Sequence, residues 1–502
     1  MSKQIKPKEQ KLIQQAQTLL SQNSVAAAKE ALLDYSRKNK TSSNTKYLLS
    51  ICHAISGEPE LAQPLASLLV KEQTKNIEFI KLLGSVNHDL KNYTQAGELF
   101  KKALKLNPND VQALSNLAGA LKELQENEEA ESCFIKTLEL QPNQPDALTN
   151  YGLLKQSAAL VDEAIELHRK ALQYSPEHVA ALYNLAFALN EKGGYDASLQ
   201  FYQKVLQVSP NHVRALCDIS YVYGKLKQPE LSLPHLERAR LISPGDPHVH
   251  FITGITHKAL GDIEKATSCL EETVRLEPDN QSAKYHLAIL TGDKSMTSSP
   301  DKYVEDLFDN YAETFDDHLT SKLQYKTPEL IANMLKKHIN TDDKYKILDL
   351  GCGTGLAGTH FQEISEHMVG IDLSSKMLKK AEQRNIYNEL IATGIEPYFD
   401  SHDFRPDIVI SADVFVYIGD IAKIFEQVSS ALENDGVFVF STEDADGDDD
   451  FVLRESGRFA HHENYIKGLA KANQLTLLDC EQTIIRYDAN KPIHGQVYLF
   501  KK

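Results

Sequence analysis

Proline returns every 34 residues through the middle of this chain, at Pro108, Pro142, Pro176, Pro210, Pro244 and Pro278. Proline cannot continue a helical hydrogen-bond ladder, so a fixed proline interval sets a fixed length of helical unit. Counting back gives frames that start at Ile77, Val111, Pro145, Val179, Val213 and Pro247. Two earlier frames, from Glu9 and Ser43, keep the period but close on Lys40 and Thr74. Positions that played no part in setting the frame test it. The eighth residue is Ala16, Ser50, Gly84, Ala118, Gly152, Ala186, Ser220 and Gly254, and the twentieth is Ala28, Ala62, Ala96, Ala130, Ala164, Ser198, Ser232 and Ala266. All are Gly, Ala or Ser, as two closely packed helices require where their backbones approach. Large residues follow at the twenty-fourth position, as in Phe100, Phe134 and Tyr202. Stacked helix pairs of this kind make a quasi-one-dimensional solenoid with a long concave groove.

The period stops after Thr291. Gly292 to Lys302 is small, polar and helix-poor, and residues 292–303 are expected to form a linker. Beyond it, KILDL, VGID, LIAT, DIVIS and VFVFS read as short β-rich strands, most of them separated by helical patterns. That alternation predicts an α/β domain with a parallel sheet. TLLDCEQT and GQVYLF have no long helix between them and suggest an antiparallel edge pair. In ILDLGCGTGLAG, Ile347 to Gly358, a strand carries Asp349, and Gly351, Gly353 and Gly355 lead into an expected helix. Such glycines let the backbone turn tightly against a ligand. Asp372 closes the next strand, 17 residues beyond Gly355, where a carboxylate can accept from both hydroxyls of a ribose. Asp349 would repel a diphosphate but suits a cationic amino group.

Composition narrows the partners. With 502 residues, two to four domains are expected. A net charge of −16 gives no default attraction to phosphate backbones, so no nucleic-acid partner is expected. The six cysteines are far apart, which suggests free thiols in a reducing compartment and no zinc or other metal site. The basic start MSKQIKPKEQ is not followed by an apolar signal region, and no stretch is long and apolar enough to span a bilayer. A cytoplasmic protein without a membrane partner is the expectation.

The 34-residue pattern resembles the tetratricopeptide repeat, over roughly residues 9–280, with Gln281 to Leu290 as a closing helix. The loop Gly351-x-Gly353-x-Gly355 behind Asp349 resembles the first motif of class I S-adenosylmethionine-dependent methyltransferases. Further matches are to the ubiquinone-biosynthesis type and to predicted bacterial methyltransferases that carry tetratricopeptide repeats. They are the segment Leu307 to Leu319, the fourth-strand motif Ser411 to Asp420, and GRFAHHENYI, Gly457 to Ile466. The resemblance implies an α-helical repeat solenoid over residues 1–291, of about eight repeats plus the closing helix. A Rossmann-like methyltransferase domain follows over residues 304–502, with a mainly parallel seven-stranded sheet and an antiparallel terminal strand. It implies S-adenosyl-L-methionine as cofactor, held by Asp349, Gly351, Cys352, Gly353, Gly355, Asp372, Leu373, Gly394, Ile395 and Tyr311, with Asp413 near the methyl group. Phe308, Tyr311 and Phe315 would form a lid over the cofactor, or else plain core packing at helical spacing. Two positions depart from the pattern. Gly394 stands where many relatives have an acidic residue, and Tyr417 stands where relatives often carry His. If the acceptor must lose a proton, Asp413, Tyr417, His461 and His462 are candidates.

In the repeats, Asn116, Asn150, Asn184 and Asp218 occupy the sixth position. Amides donate and accept, so such a row can grip a peptide backbone. It resembles the asparagine ladder in the repeats of O-linked N-acetylglucosamine transferase, or it is simply a polar exposed face. The acidic run Glu443 to Asp450 reads as solvated surface, or as a guide for a cationic acceptor. The expected function is a methyltransferase whose solenoid recruits a protein substrate or partner. The alternatives are a small-molecule methyltransferase with repeats used for docking or self-association, and an inactive scaffold.

Overall fold

The computed structural model describes residues 6–312, 315–317, 326–488 and 491–502. The chain divides into two compact units between Ile242 and Ser243.

The first unit is built of helix pairs such as Ile77–Asp89 with Tyr93–Leu106 and Val111–Glu123 with Asn127–Leu140. The second helix of a pair ends two residues before its proline, as at Leu106 before Pro108 and Leu140 before Pro142. The small positions are buried where the helices of a pair meet. A Cβ added to Gly84 would stand 2.6 Å from the Phe100 ring, so the twenty-fourth residue fills the space the eighth leaves. Serine is accepted at these positions because its hydroxyl finds a carbonyl, across the pair for Ser50, Ser198 and Ser232 and on its own helix for Ser220. Ser50 donates to Ala62 O at 3.0 Å and Ser198 to Ala186 O at 2.7 Å. The turn inside each repeat uses a left-handed residue, and these too recur every 34: Asn23, Gly57, Lys91, Gln125, Ala159, Gly193, Lys227 and Gly261.

The second unit opens with helices Pro247–Ala259, Ile263–Leu276 and Gln281–Thr291, and then holds the sheet. Its main strands are β1 (Tyr345–Leu350), β2 (Ser365–Asp372), β3 (Glu389–Ala392), β4 (Ile408–Ser411) and β5 (Val437–Glu443). A short pair follows, β6 (Phe451–Leu453) and β7 (Phe459–His461), and then β8 (Thr476–Asp488) and β9 (Lys491–Lys501). The seven-stranded sheet runs β3-β2-β1-β4-β5-β9-β8. β1 to β5 pair in parallel, while β9 pairs antiparallel with both β5 and β8. The two terminal strands are thus the antiparallel end of a mainly parallel sheet. Apolar side chains cover both of its faces, with Leu348, Val409, Phe438 and Phe440 on one and Ile347, Ile408, Val439 and Leu499 on the other.

One expected element is absent. The glycine loop leads into 3-10 turns at Gly358–His360 and Gln362–Ile364, not into an α-helix. β2 begins four residues earlier than the VGID run, at Ser365, and consumes the chain such a helix would need. The β6–β7 hairpin was not expected; its three-residue strands are too short to show a period. The stretch expected as a linker meets the sheet-bearing domain through its backbone. Ser298 bridges to Ile418, Gly419 N and Asp420 N donate to Thr297 O, and Ser299 N donates to Tyr417 O at 2.8 Å. Tyr285, fully buried on the helix Gln281–Thr291, donates to Gly457 O and accepts from Ser299 Oγ at 2.8 Å. No helix among the described residues is long and apolar enough to cross a membrane.

Candidate functional site

In a parallel sheet the loops at the carboxyl ends of the strands gather on one side, and a crevice opens where the strand order reverses. Here the order reverses at β1, between β2 and β4. A cavity of about 420 Å³ lies there, lined among others by Gly351, Cys352, Gly353, Asp372, Leu373, Gly394, Ile395, Asp413 and Tyr417.

The loop after β1 takes its path from three glycines with φ between +55° and +83°. A Cβ on Gly351 would stand 2.5 Å from Val414, whereas one on Gly353 would meet only Phe315, at 3.9 Å. Gly353 is therefore open towards the cavity and Gly351 is pressed against the β4 loop. Asp372, at the end of β2, accepts from Gly353 N at 2.9 Å and from Ser374 N at 2.8 Å. Those amides fix the carboxylate and leave each oxygen a further lone pair for a ligand hydroxyl. Burial pushes the Asp372 carboxyl up to about 6. Asp349 lies deeper and is not on the cavity wall. Its Oδ2 accepts from Tyr387 OH at 2.7 Å, its buried Oδ1 has no hydrogen-bond partner among the described residues, and burial pushes its carboxyl up to about 7. Gly355 packs on Tyr387 and Arg384, away from the wall.

Phe308 and Phe315 line the cavity from above the loop and touch each other edge-on, with ring centres 5.7 Å apart. Phe308 also sits edge-on to Tyr417 at 5.4 Å. Asp309 accepts from Ser374 Oγ at 2.6 Å and Asp316 from Thr354 Oγ1, which ties this segment to the cavity floor. Tyr311 is 45% exposed and is not a wall residue. Of the segment Leu307 to Leu319, Glu313, Thr314, His318 and Leu319 lie outside the described residues.

Comparison with known proteins agrees with this geometry. Residues 341–485 match the family model of a methyltransferase domain, and residues 88–150 and 160–218 match that of the tetratricopeptide repeat. The chain joins tetratricopeptide repeats to a methyltransferase domain. The Saccharomyces cerevisiae protein named "Probable S-adenosylmethionine-dependent methyltransferase CRG1" is 35% identical over 117 residues, 22% of this chain and 39% of its own length. The malonyl-[acyl-carrier protein] O-methyltransferase of Yersinia pestis is 24% identical over 135 residues, 27% of this chain and 48% of its own length. The chain thus spans less than half of either relative. Among solved structures, the APC/C hetero-tetramer Cut9–Hcn1 aligns over 56% of this chain and 55% of its own at 17% identity, with a TM-score of 0.45.

The cofactor such a methyltransferase domain implies is S-adenosylmethionine. The residues present fit it. Asp372 offers lone pairs to a ribose and Gly353 leaves the space a side chain would fill, whereas Asp349, expected to meet the amino group, lies behind the wall. Gly394, with Ile395 opening the next helix, lines the same side and brings backbone groups in place of an acidic side chain.

The far side of the methyltransferase cavity differs from expectation. Asp413 has φ +61°, an uncommon conformation for a residue with a side chain. Both its carboxylate oxygens accept from Arg486 Nη1, at 2.8 and 3.1 Å. Burial raises the Tyr417 phenol, while nearby Arg458 opposes that shift. His461 is not on the wall. It is buried behind Ile418 and Gly419, whose carbonyls take its Nε2 hydrogen at 2.9 and 3.0 Å, and burial lowers it to about 4. His462 caps the helix Glu463–Ala472, its Nδ1 accepting from Asn464 N. The acidic run divides: Asp446 to Asp450 are exposed, as a solvated surface requires, while its first residues are engaged. Glu443 is buried and bonded to Arg486 and Arg454, Asp444 accepts from the amides of Gln482 and Gln496, and Asp449 pairs with Lys294 at 2.6 Å. Ser298, Ser299, Arg458, Arg486 and Glu443 were missed from sequence. Only Arg486 leaves a signal: an arginine inside the apolar strand run TIIRY must be paired if buried.

In the repeats, Asn116 Nδ2 donates to Ser85 at 3.3 Å and Asp218 accepts from Tyr183 OH at 2.7 Å, so these two serve contacts between neighbouring repeats. Asn150 and Asn184 are half-buried.

Proposed function

We propose that this chain transfers a methyl group from S-adenosylmethionine to an acceptor entering beside Tyr417, and that the repeats bring a protein to it. The observation that carries the reading is the Asp372 carboxylate, fixed by two main-chain amides in a cavity beside a left-handed glycine loop. Bound there, the cofactor supplies an electrophilic methyl group, so the protein's task is chiefly to orient the two reactants. Asp372 would hold the ribose, and the backbone at Gly394 and Ile395 the adenine. Phe308, Phe315 and Tyr417 would exclude water from the transfer.

Calorimetry of S-adenosylmethionine with the full chain tests this. Asp372→Ala is expected to weaken binding by about 2–3 kcal/mol, because a charged acceptor shared by two hydroxyls is lost. Failure of the unmutated chain to bind would overturn the reading. Recruitment of a protein is supported by the repeat match and by the half-buried amides of Asn150 and Asn184. Labelled-methyl transfer in a lysate, resolved into protein and small-molecule fractions, checks it. Label confined to small molecules would mean the repeats do not deliver the acceptor.

A further inference from the structure

Around Tyr417 the cavity carries charge that the glycine loop and Asp372 do not use. Three guanidinium groups, Arg454, Arg458 and Arg486, meet two carboxylates, the buried Glu443 and the partly exposed Asp413. Arg486 bonds both carboxylates, and Arg454 Nη1 donates to Glu443 at 2.7 Å. Arg458 is left over. Its Nη1 stands 3.9 Å from Asp413 Oδ2 and 3.9 Å from Glu443 Oε1, oxygens already engaged by Arg486. That nitrogen is buried and has no hydrogen-bond partner among the described residues. Asp444 does not complete it, since its carboxylate turns to Gln482 and Gln496. Asp301, a further acidic side chain on this wall, is exposed at the start of the helix Asp301–Tyr311. Glu396 pairs with Lys423 at 2.7 Å.

Nη1 faces the two carboxylates, and 26% of the Arg458 side chain stays exposed, so the residue can meet a ligand without leaving them. Arg458 lines the cavity, with its guanidinium 5.7 Å from the centre of the Tyr417 ring, which holds it in place. Asp372 closes β2 and Asp413 follows β4, on opposite sides of β1. Two strand spacings, about 10 Å, separate those positions, so the positive charge belongs to the acceptor side.

We propose that Arg458 is an anion subsite that holds a carboxylate of the methyl acceptor. This rests on the methyltransferase reading of the domain. One uncompensated positive charge matches one carboxylate, whereas a phosphate dianion would add a second negative charge beside Asp413 and Glu443. The planar fork of the guanidinium suits a carboxylate.

Saturation-transfer NMR on the full chain tests the subsite with benzoate and benzamide, probes of similar shape and different charge. Benzoate is expected to bind at least about tenfold more tightly, the usual scale of a charge-assisted pair. Arg458→Gln should abolish the preference, and Arg458→Lys should keep part of it by restoring the charge without the fork. Equal binding of the two probes, or a preference that survives Arg458→Gln, overturns the proposal. Displacement of benzoate by inorganic phosphate at lower concentration than by acetate also overturns it, because the site would then prefer another anion. Calorimetry with S-adenosylhomocysteine, run separately on the unmutated chain, reports on the methyltransferase reading alone, since the benzoate measurement needs no cofactor.

Discussion

Asp349 and Asp372 sit at the ends of adjacent strands, and burial holds their protons up to about pH 7 and about pH 6. An unfolded aspartate loses its proton near pH ~4. Between those values the folded chain binds more protons than the unfolded one, so these two groups make stability fall as pH rises from about 4 to about 7. Above about 7 their effect is constant. Asp349→Asn removes one of the two groups, and melting midpoints of the ligand-free chain should then depend less on pH across that window. An unchanged pH dependence would show that Asp349 is not held protonated. At this scale the glycines and Asp372 were legible because their spacing along the chain is the signal. Arg458, Glu443 and Arg486 were not, because their pairing runs across strands far apart in sequence. The histidines of the HH pair looked chemical in sequence, yet His461 is taken by two carbonyls and His462 by a helix cap.

At the scale of elements, the repeats show how much a period reveals. The small positions announced every helix pair and the prolines all but the first two, but the left-handed turn residue did not, because only Gly57, Gly193 and Gly261 of the series are glycine. A side chain in that conformation costs roughly 1–2 kcal/mol, whereas a glycine there gives back about 0.5–1 kcal/mol through the freer unfolded chain. Ala159, exposed at φ +59°, loses no packing on replacement. Ala159→Gly is therefore expected to stabilise the first unit by about 0.5–1 kcal/mol in urea melts. A lower midpoint would mean that the turn is not held left-handed in solution. The helix expected after the glycine loop failed for a reason of length: β2 starts early and leaves room only for 3-10 turns.

Across the whole molecule, the stretch Thr297–Ser299 binds the loop after β4 with its main chain, so its polar composition gave no hint of the contact. Tyr285 secures that contact from the helix Gln281–Thr291 by bonding both Ser299 and Gly457, the residue before Arg458. Tyr285→Phe keeps the ring and strands a buried hydroxyl and a carbonyl, at a cost of about 1–3 kcal/mol. The melting transition of the sheet-bearing unit should drop accordingly, with the repeats of the first unit unaffected. An unchanged transition would mean that water replaces the phenol without loss. The β6–β7 hairpin that brings Arg458 to the cavity leaves the chain after β5 and rejoins it before the helix Glu463–Ala472. On the proposed reading, cofactor and acceptor are addressed by separate stretches, Gly351 to Ile395 for one and Asp413 to Arg458 for the other. If Arg458 holds the acceptor, descendants of this gene, or a designer, could exchange the few residues of that hairpin and so change which acceptor is admitted, with the machinery for the methyl donor inherited intact.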